Sequence, residues 1–241
     1  MTQSINEIFG ESSTGHELNN SGEHWLSVSD LMSGLMIVFL FVSIALMRDA
    51  MIERDKIKEV AVAYQENQVE IYDALMEEFD KDLERWDATV DQETLSFRFR
   101  SPDVLFDAGQ INLQKAFQEI LSDFFPRYLG ILMRFRDSIN EVRIEGHTSS
   151  DWSERSTEEE AYFKNMELSQ GRTRSVLAYV YALQPKVEER SWVKQHIAAV
   201  GFSSSRLVLN PDGTENYRRS RRVSFRIITN AETQIRKILE G

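Results

Sequence analysis

The chain has 241 residues, 28 Lys plus Arg against 39 Asp plus Glu, four Pro and no Cys. With 41% hydrophobic and 28% charged residues it is not a disordered polymer, and without Cys it has no disulfide, Cys-ligated zinc, iron–sulfur cluster or thiol catalysis. A net charge of -11 argues against non-specific nucleic-acid binding by the chain as a whole, and no direct nucleic-acid partner is expected.

Residues 1–24 are polar and rich in Ser, Asn, Gly and Glu, the composition of a short tail. Residues 31–47, LMSGLMIVFLFVSIALM, then run without a charge. Extended back to Trp25 the segment carries one charge, Asp30, and as a helix it would be roughly 34 Å long, enough for a hydrocarbon core of about 30 Å. No Lys or Arg precedes it, so a cleaved signal peptide fits poorly, and 25–47 is expected to be a single-pass transmembrane helix. Residues 48–93 lack Gly and Pro, and the spacing of Ile52, Val60, Val69, Met76, Phe79 and Leu83 predicts a helical linker with a solvated, partly oligomeric surface.

From residue 94 the pattern changes. Alternation predicts strands at 95–100, 142–146, 198–202 and 222–228. Helices are expected over 112–125, bent at Pro126 and resuming to 134, and over 166–183, with a turn at NPDG (210–213). Helices between strands imply an α/β sandwich over 94–230 with the helices on one sheet face, followed by a C-terminal helix at 231–241.

Two sets of residues stand out. Asp30 is a carboxyl in an otherwise apolar span, which is unfavourable unless it faces protein or a water path. Ser29, Ser33 and Gly34 are small, and Gly34, Val38 and Phe41 are spaced for close helix packing. A carboxyl held there would alternate between neutral and ionised forms, as a proton carrier must. The plainer alternative is an interfacial Asp that headgroups solvate or that caps the helix start. The second set is IEGHT (144–148), N-x-x-L-S-x-x-R (Asn165, Leu168, Ser169, Arg172), V-x-G-F (200–202) and RRV (221–223). Asn165 is placed to cap the following helix, and Arg172, seven residues on, shares its face and offers a bidentate fork for a carboxylate. His147 reads as a satisfied buried or sheet-edge imidazole, and the Arg run at 218–226 as solvation and domain packing.

These motifs carry a resemblance. Residues 95–229, with VLFDAGQINL (104–113), resemble the OmpA-like peptidoglycan-binding domain, and WLSVSDLMSGLMIVFLFV (25–42) resembles the membrane helix of MotB stator subunits. The short connection and the acidic helix look most like the MotB-like subunit of Zorya anti-phage systems. The resemblance implies helices packed on a mixed sheet, a non-enzymatic role and no cofactor beyond a transported ion, H+. It implies an inner-membrane position with the N-terminus cytoplasmic and the C-terminal domain periplasmic. Its partners would be a homodimeric second copy, a MotA-like membrane subunit at five copies per two of this chain, and peptidoglycan. It assigns the proton to Asp30 and peptidoglycan contacts to Asn165, Leu168, Arg172 and Thr148.

Three departures are visible. Ser149 stands where the family's G-H-T-D motif has Asp, Asp151 is the nearest substitute, and Ser220 replaces the Asn before the paired Arg. Arg48, Arg54, Lys56 and Lys58 follow the apolar run, so the positive-inside rule opposes the implied orientation, although Glu53, Asp55 and Glu59 are interleaved with them. A flagellar stator subunit and a passive peptidoglycan anchor without ion transport remain alternatives.

Overall fold

Helical spacing from the apolar run onward is satisfied by one helix, α1 (Leu18–Leu83). The structure, a computed structural model, describes residues 18–100 and 102–230, with side chains given for 28–62, 65–100 and 104–230. The expected tail and C-terminal helix therefore lie largely or wholly outside the described residues. The chain divides into two units, 1–57 and 58–241.

In the first unit every side chain from 28 to 56 is exposed, including Leu31, Met36, Phe39, Phe41 and Leu46. This part of α1 is long and apolar enough to cross a membrane. Asp30 lies well inside the helix, so it does not cap a helix start. Ser33 returns its hydroxyl to the Ser29 carbonyl at 2.8 Å, which leaves that face small and internally satisfied.

The second unit is an α/β domain, as expected, but it begins earlier than the sequence suggests. The helix ends at Leu83, and β1 (Ala88–Asp91) pairs antiparallel with β2 (Ser96–Phe99), so the helical linker does not reach residue 93. Nor is the last part of α1 only solvated: Ile71, Leu75 and Phe79 are completely buried in the domain core. Arg127 fastens this end, bonding the carboxylates of Glu78 at 2.6 Å and Asp82 at 2.8 Å and the Glu78 carbonyl at 2.7 Å.

The remaining elements are α2 (Pro102–Leu105), α3 (Lys115–Arg134), β3 (Ile139–His147), α4 (Glu158–Ala182), α5 (Val187–His196), β4 (Ile197–Gly201), α6 (Tyr217–Ser220) and β5 (Arg222–Thr229). The sheet order is β1-β2-β5-β3-β4; β3 and β4 are parallel and the other pairs antiparallel, giving the mixed sheet. Helix α3 runs through Pro126 without ending there. Helix α4 starts eight residues before the expected Met166, because Thr157 and Glu160 form a reciprocal capping box. Strand β1, helix α5 and the single-turn helices α2 and α6 are the elements that hydrophobic periodicity did not reveal.

The pleat separates two faces. Phe97, Phe99, Val142, Ile144, Val223, Phe225 and Ile227 enter the core. There Phe124 sits 4.6 Å from the Phe97 ring and 5.2 Å from each of Phe79, Phe99 and Phe225. The alternate residues Arg98, Arg143, Glu145, His147, Arg222, Ser224 and Arg226 occupy the opposite face.

Candidate functional site

Close packing of α4 on the sheet builds the site. A side chain at Gly146 would meet the Ser169 carbonyl at 2.8 Å, and one at Gly201 would meet the Gln170 nitrogen at 2.5 Å. Both positions therefore need glycine for α4 to lie directly on the C-terminal ends of β3 and β4. Ser169 completes the seam by accepting the Ser203 N–H at 3.1 Å. The loop after β3 and the N-terminal half of α4 are thereby set side by side.

Asn165 is a buried residue inside α4 and not its cap, which is Thr157. Its side-chain amide donates to the Ser149 carbonyl at 3.1 Å and the Asp151 carbonyl at 3.0 Å. Glu215 holds the same loop from the other side, accepting from the Ser150 hydroxyl and from its N–H at 3.2 Å. Two turns along α4, Arg172 donates to the Gln110 carbonyl at 2.9 Å and the Asp107 carbonyl at 3.1 Å, and its guanidinium lies 4.7 Å from the Phe106 ring. Gly171 lets the same loop approach, since a Cβ there would meet the Ile111 side chain at 2.6 Å.

These loops and α4 enclose a cavity of about 210 Å3 lined by Phe106, Thr148, Ser149, Asp151, Trp152, Asn165, Leu168, Arg172 and Arg221, among others. All five residues expected in the globular site, Thr148, Asp151, Asn165, Leu168 and Arg172, thus share one wall system, and Ser149 joins them. Asp30 belongs to the other unit.

The electrostatics favour a charged ligand. Burial, and then the nearby Arg221 charge, push the Arg172 guanidinium down to about 10. No carboxylate ion-pairs with Arg172 or Arg221 among the described residues, so two guanidinium groups share one wall without a counter-ion. Thr148, only 3% exposed, has a hydroxyl without a hydrogen-bond partner, an unfavourable state for a buried polar atom that a ligand would relieve. Asp151 supplies an exposed carboxylate on the same cavity. A zwitterion presenting a carboxylate to the arginines and an ammonium to Asp151 satisfies this set.

Arg221 belongs to the RRV motif, but sequence reasoning assigned it no ligand role, because the run at 218–226 reads as solvation and domain packing. The run in fact divides by position. Arg222 bonds the carbonyls of Arg206 and Ser220 and Arg226 approaches Glu145 at 3.9 Å, whereas Arg221 reaches the cavity. His147 is buried as expected, stacked on Phe202 with ring centroids 5.2 Å apart and its Nε2 3.5 Å from Glu145, but its Nδ1 has no partner. Burial, with the Arg222 and Arg206 charges, holds its proton affinity below the ordinary value despite Glu145. For Glu145 burial acts upward, yet His147, Arg206 and Arg226 together hold it below the usual carboxylate range.

Comparison with known proteins gives one full-length relative: the chain is 53% identical over 236 residues, 98% of its length and 100% of the relative's, to Zorya protein ZorB of Escherichia coli (strain Crooks). Among solved structures, a MotB-like protein from Desulfovibrio vulgaris aligns with 71% of this chain and 94% of its own at 21% identity and a TM-score of 0.49. The cell wall anchor of the type VI secretion system from Pseudomonas aeruginosa aligns over 64% and 96% at 20% identity and a TM-score of 0.44. The periplasmic domain of Helicobacter pylori MotB does so over 60% and 83% at 14% identity and a TM-score of 0.41. No family model matches the chain.

Proposed function

Because the chain belongs to the ZorB family of Zorya proteins, we propose that it is the peptidoglycan-anchored subunit of a proton-driven inner-membrane motor that serves anti-phage defence. The observation that carries the anchoring half is the cavity itself. Arg172, Arg221, Asp151 and the unpartnered Thr148 hydroxyl converge there with both signs of charge, as the diamino-acid end of a cell-wall stem peptide requires. Leu168 supplies the apolar contact between them, and Asn165 acts by holding the loop that presents Asp151.

The motor half rests on α1. Its exposed apolar side chains need lipid or a partner's helices around them. Two copies within a ring of five MotA-like subunits would enclose Asp30, whose carboxyl then takes and releases protons as the ring turns. The helix crosses the inner membrane once with its N-terminus cytoplasmic, and the domain grips the wall from the periplasm so that this subunit stays stationary. Membership of the ZorB family favours defence over swimming as the output.

The deciding experiment is sedimentation of the full chain, purified with its membrane partner, with isolated sacculi. Wild type should pellet with the wall, and an Arg172→Ala, Arg221→Ala double variant that still assembles should remain in the supernatant. Equal pelleting of both proteins would overturn the anchoring assignment.

A further inference from the structure

The three tryptophans with described side chains are not alike. Trp86 and Trp192 are buried in the core at 5% and 8% exposure, as a large ring normally is. Trp152 is 39% exposed and also forms part of the cavity wall, which places the residue where the cavity meets solvent. It stacks on no other aromatic ring, and its indole N–H has no hydrogen-bond partner among the described residues. An amphipathic ring that makes no ring–ring contact, set at the edge of a polar cavity, offers an apolar surface and an N–H donor to what binds there.

Its position is built. On one side Asn165 grips the carbonyls of Ser149 and Asp151, while Glu215 grips Ser150; on the other, the hydroxyls of Ser153 and Ser156 meet at 2.7 Å. The ring is thus carried by a loop tied to α4 and Glu215 just before it and closed on itself just after it, which lowers the ordering cost of any contact it makes. The cavity's volume is below the roughly 300–1,000 Å3 of sites that enclose a drug-sized ligand. On the cell-wall reading it takes the charged end of a peptide, and the remainder must leave across the solvent-facing rim, to which the partly exposed Trp152 belongs. In the wall that remainder includes the sugar to which the stem peptide is attached. A pyranose ring has an apolar C–H face that stacks on indole and a polar edge that accepts its N–H.

Resting on the cell-wall reading of the cavity, we propose that Trp152 forms a saccharide-stacking subsite, so that the site reads the N-acetyl sugar bearing the stem peptide as well as the peptide's charged end.

The test compares two probes on the full chain in detergent, by calorimetry. One is the disaccharide-peptide released from sacculi by a muramidase; the other is the same stem peptide freed of sugar by an amidase. Wild type should bind the disaccharide-peptide roughly ten-fold more tightly. Trp152→Ala should bind both probes alike, at the wild-type affinity for the free peptide, and Trp152→Phe should keep most of the preference. An equal loss for both probes would reassign Trp152 to the peptide, and a preference that survives in Trp152→Ala would remove it from recognition; either overturns the subsite. Equal wild-type affinity for the two probes also overturns it, whatever the variants do, while leaving the peptide site standing. Binding of neither probe by wild type would bring down the cell-wall reading and the subsite with it.

Discussion

The Asn165 side-chain amide donates to the Asp151 backbone carbonyl at 3.0 Å, tying the N-terminal half of α4 to the loop that follows β3. A carboxylate displaced two residues from the family's position is thereby held on the cavity by a residue of the helical motif. The substitution at Ser149 is compatible with a charged site for this reason. The Ser149 backbone is also gripped by Asn165, while its small side chain lines the wall.

Asn165→Ala should therefore act on the loop before it acts on the ligand. Two carbonyls lose their donor, a loss of about 1–3 kcal/mol where they are buried. Hydrogen exchange at 149–152 should rise, and sedimentation with sacculi should fall further than in Leu168→Ala. The combined Asn165, Leu168 and Arg172 alanine variant should also melt lower than wild type, because Arg172 holds the carbonyls of Asp107 and Gln110. An unchanged melting temperature would show that these bonds are replaced by water.

Gly201→Ala should lower stability by about 1–3 kcal/mol, since its Cβ would overlap the Gln170 nitrogen and Ser169 hydroxyl and force α4 outward. Gly130→Ala, where a Cβ meets nothing within 4 Å, is the control and should be neutral or better. Chemical denaturation of the two variants checks the contrast.

Acid stability should depend on His147. Its folded-state proton affinity is held below the ordinary value of 6.5, so the unfolded chain binds more protons. The resulting stability is fully present above that value and is lost as the pH falls below it. Glu145, also held low, adds its loss only below its own ordinary value of 4.5. Melting temperature should thus drop between pH 7 and 5 in wild type and stay nearly level in His147→Gln. The same slope in both proteins would place the titration elsewhere.

Arg127→Met should loosen the end of α1 while leaving the sheet intact. It removes a guanidinium that bonds Glu78, Asp82 and Asp123, in a partly exposed setting where screening limits the loss to about 1–2 kcal/mol. Hydrogen exchange should increase over residues 71–83 more than over β3 and β5.

Asp30→Asn separates a motor from a passive anchor. Asn has nearly the same volume and carries no ion to bury, so the complex with the membrane partner should assemble. Phage protection and proton flux into vesicles should nevertheless fall to background, because the amide never releases a proton. Wild-type protection by an assembled Asp30→Asn complex would leave anchoring as the chain's whole contribution.

Much of this molecule is local in origin and was legible without coordinates. An uncharged run such as 31–47 announces itself by composition, and the alternation in 222–228 matches β5 within a residue, because pleat and periodicity are properties of adjacent residues. Asn165 and Arg172 were legible as one helix face through their spacing, and Leu168 joined them only through the resemblance. Strand β1 was not: residues 88–91 carry little apolar signal, and they form a strand because β2 pairs with them across a turn. The burial of Ile71, Leu75 and Phe79 was hidden because an amphipathic helix does not say what covers its apolar side. Asn165 looked like a cap because its partners, the carbonyls of 149 and 151, are supplied by a different element. Arg221 could be told from its neighbours only once β5 and α6 were folded, since four nearby arginines share one chemistry and differ only in what lies within reach. Side-chain type and spacing come from the sequence; which unpaired charges face a common cavity is decided by contacts between residues far apart in it.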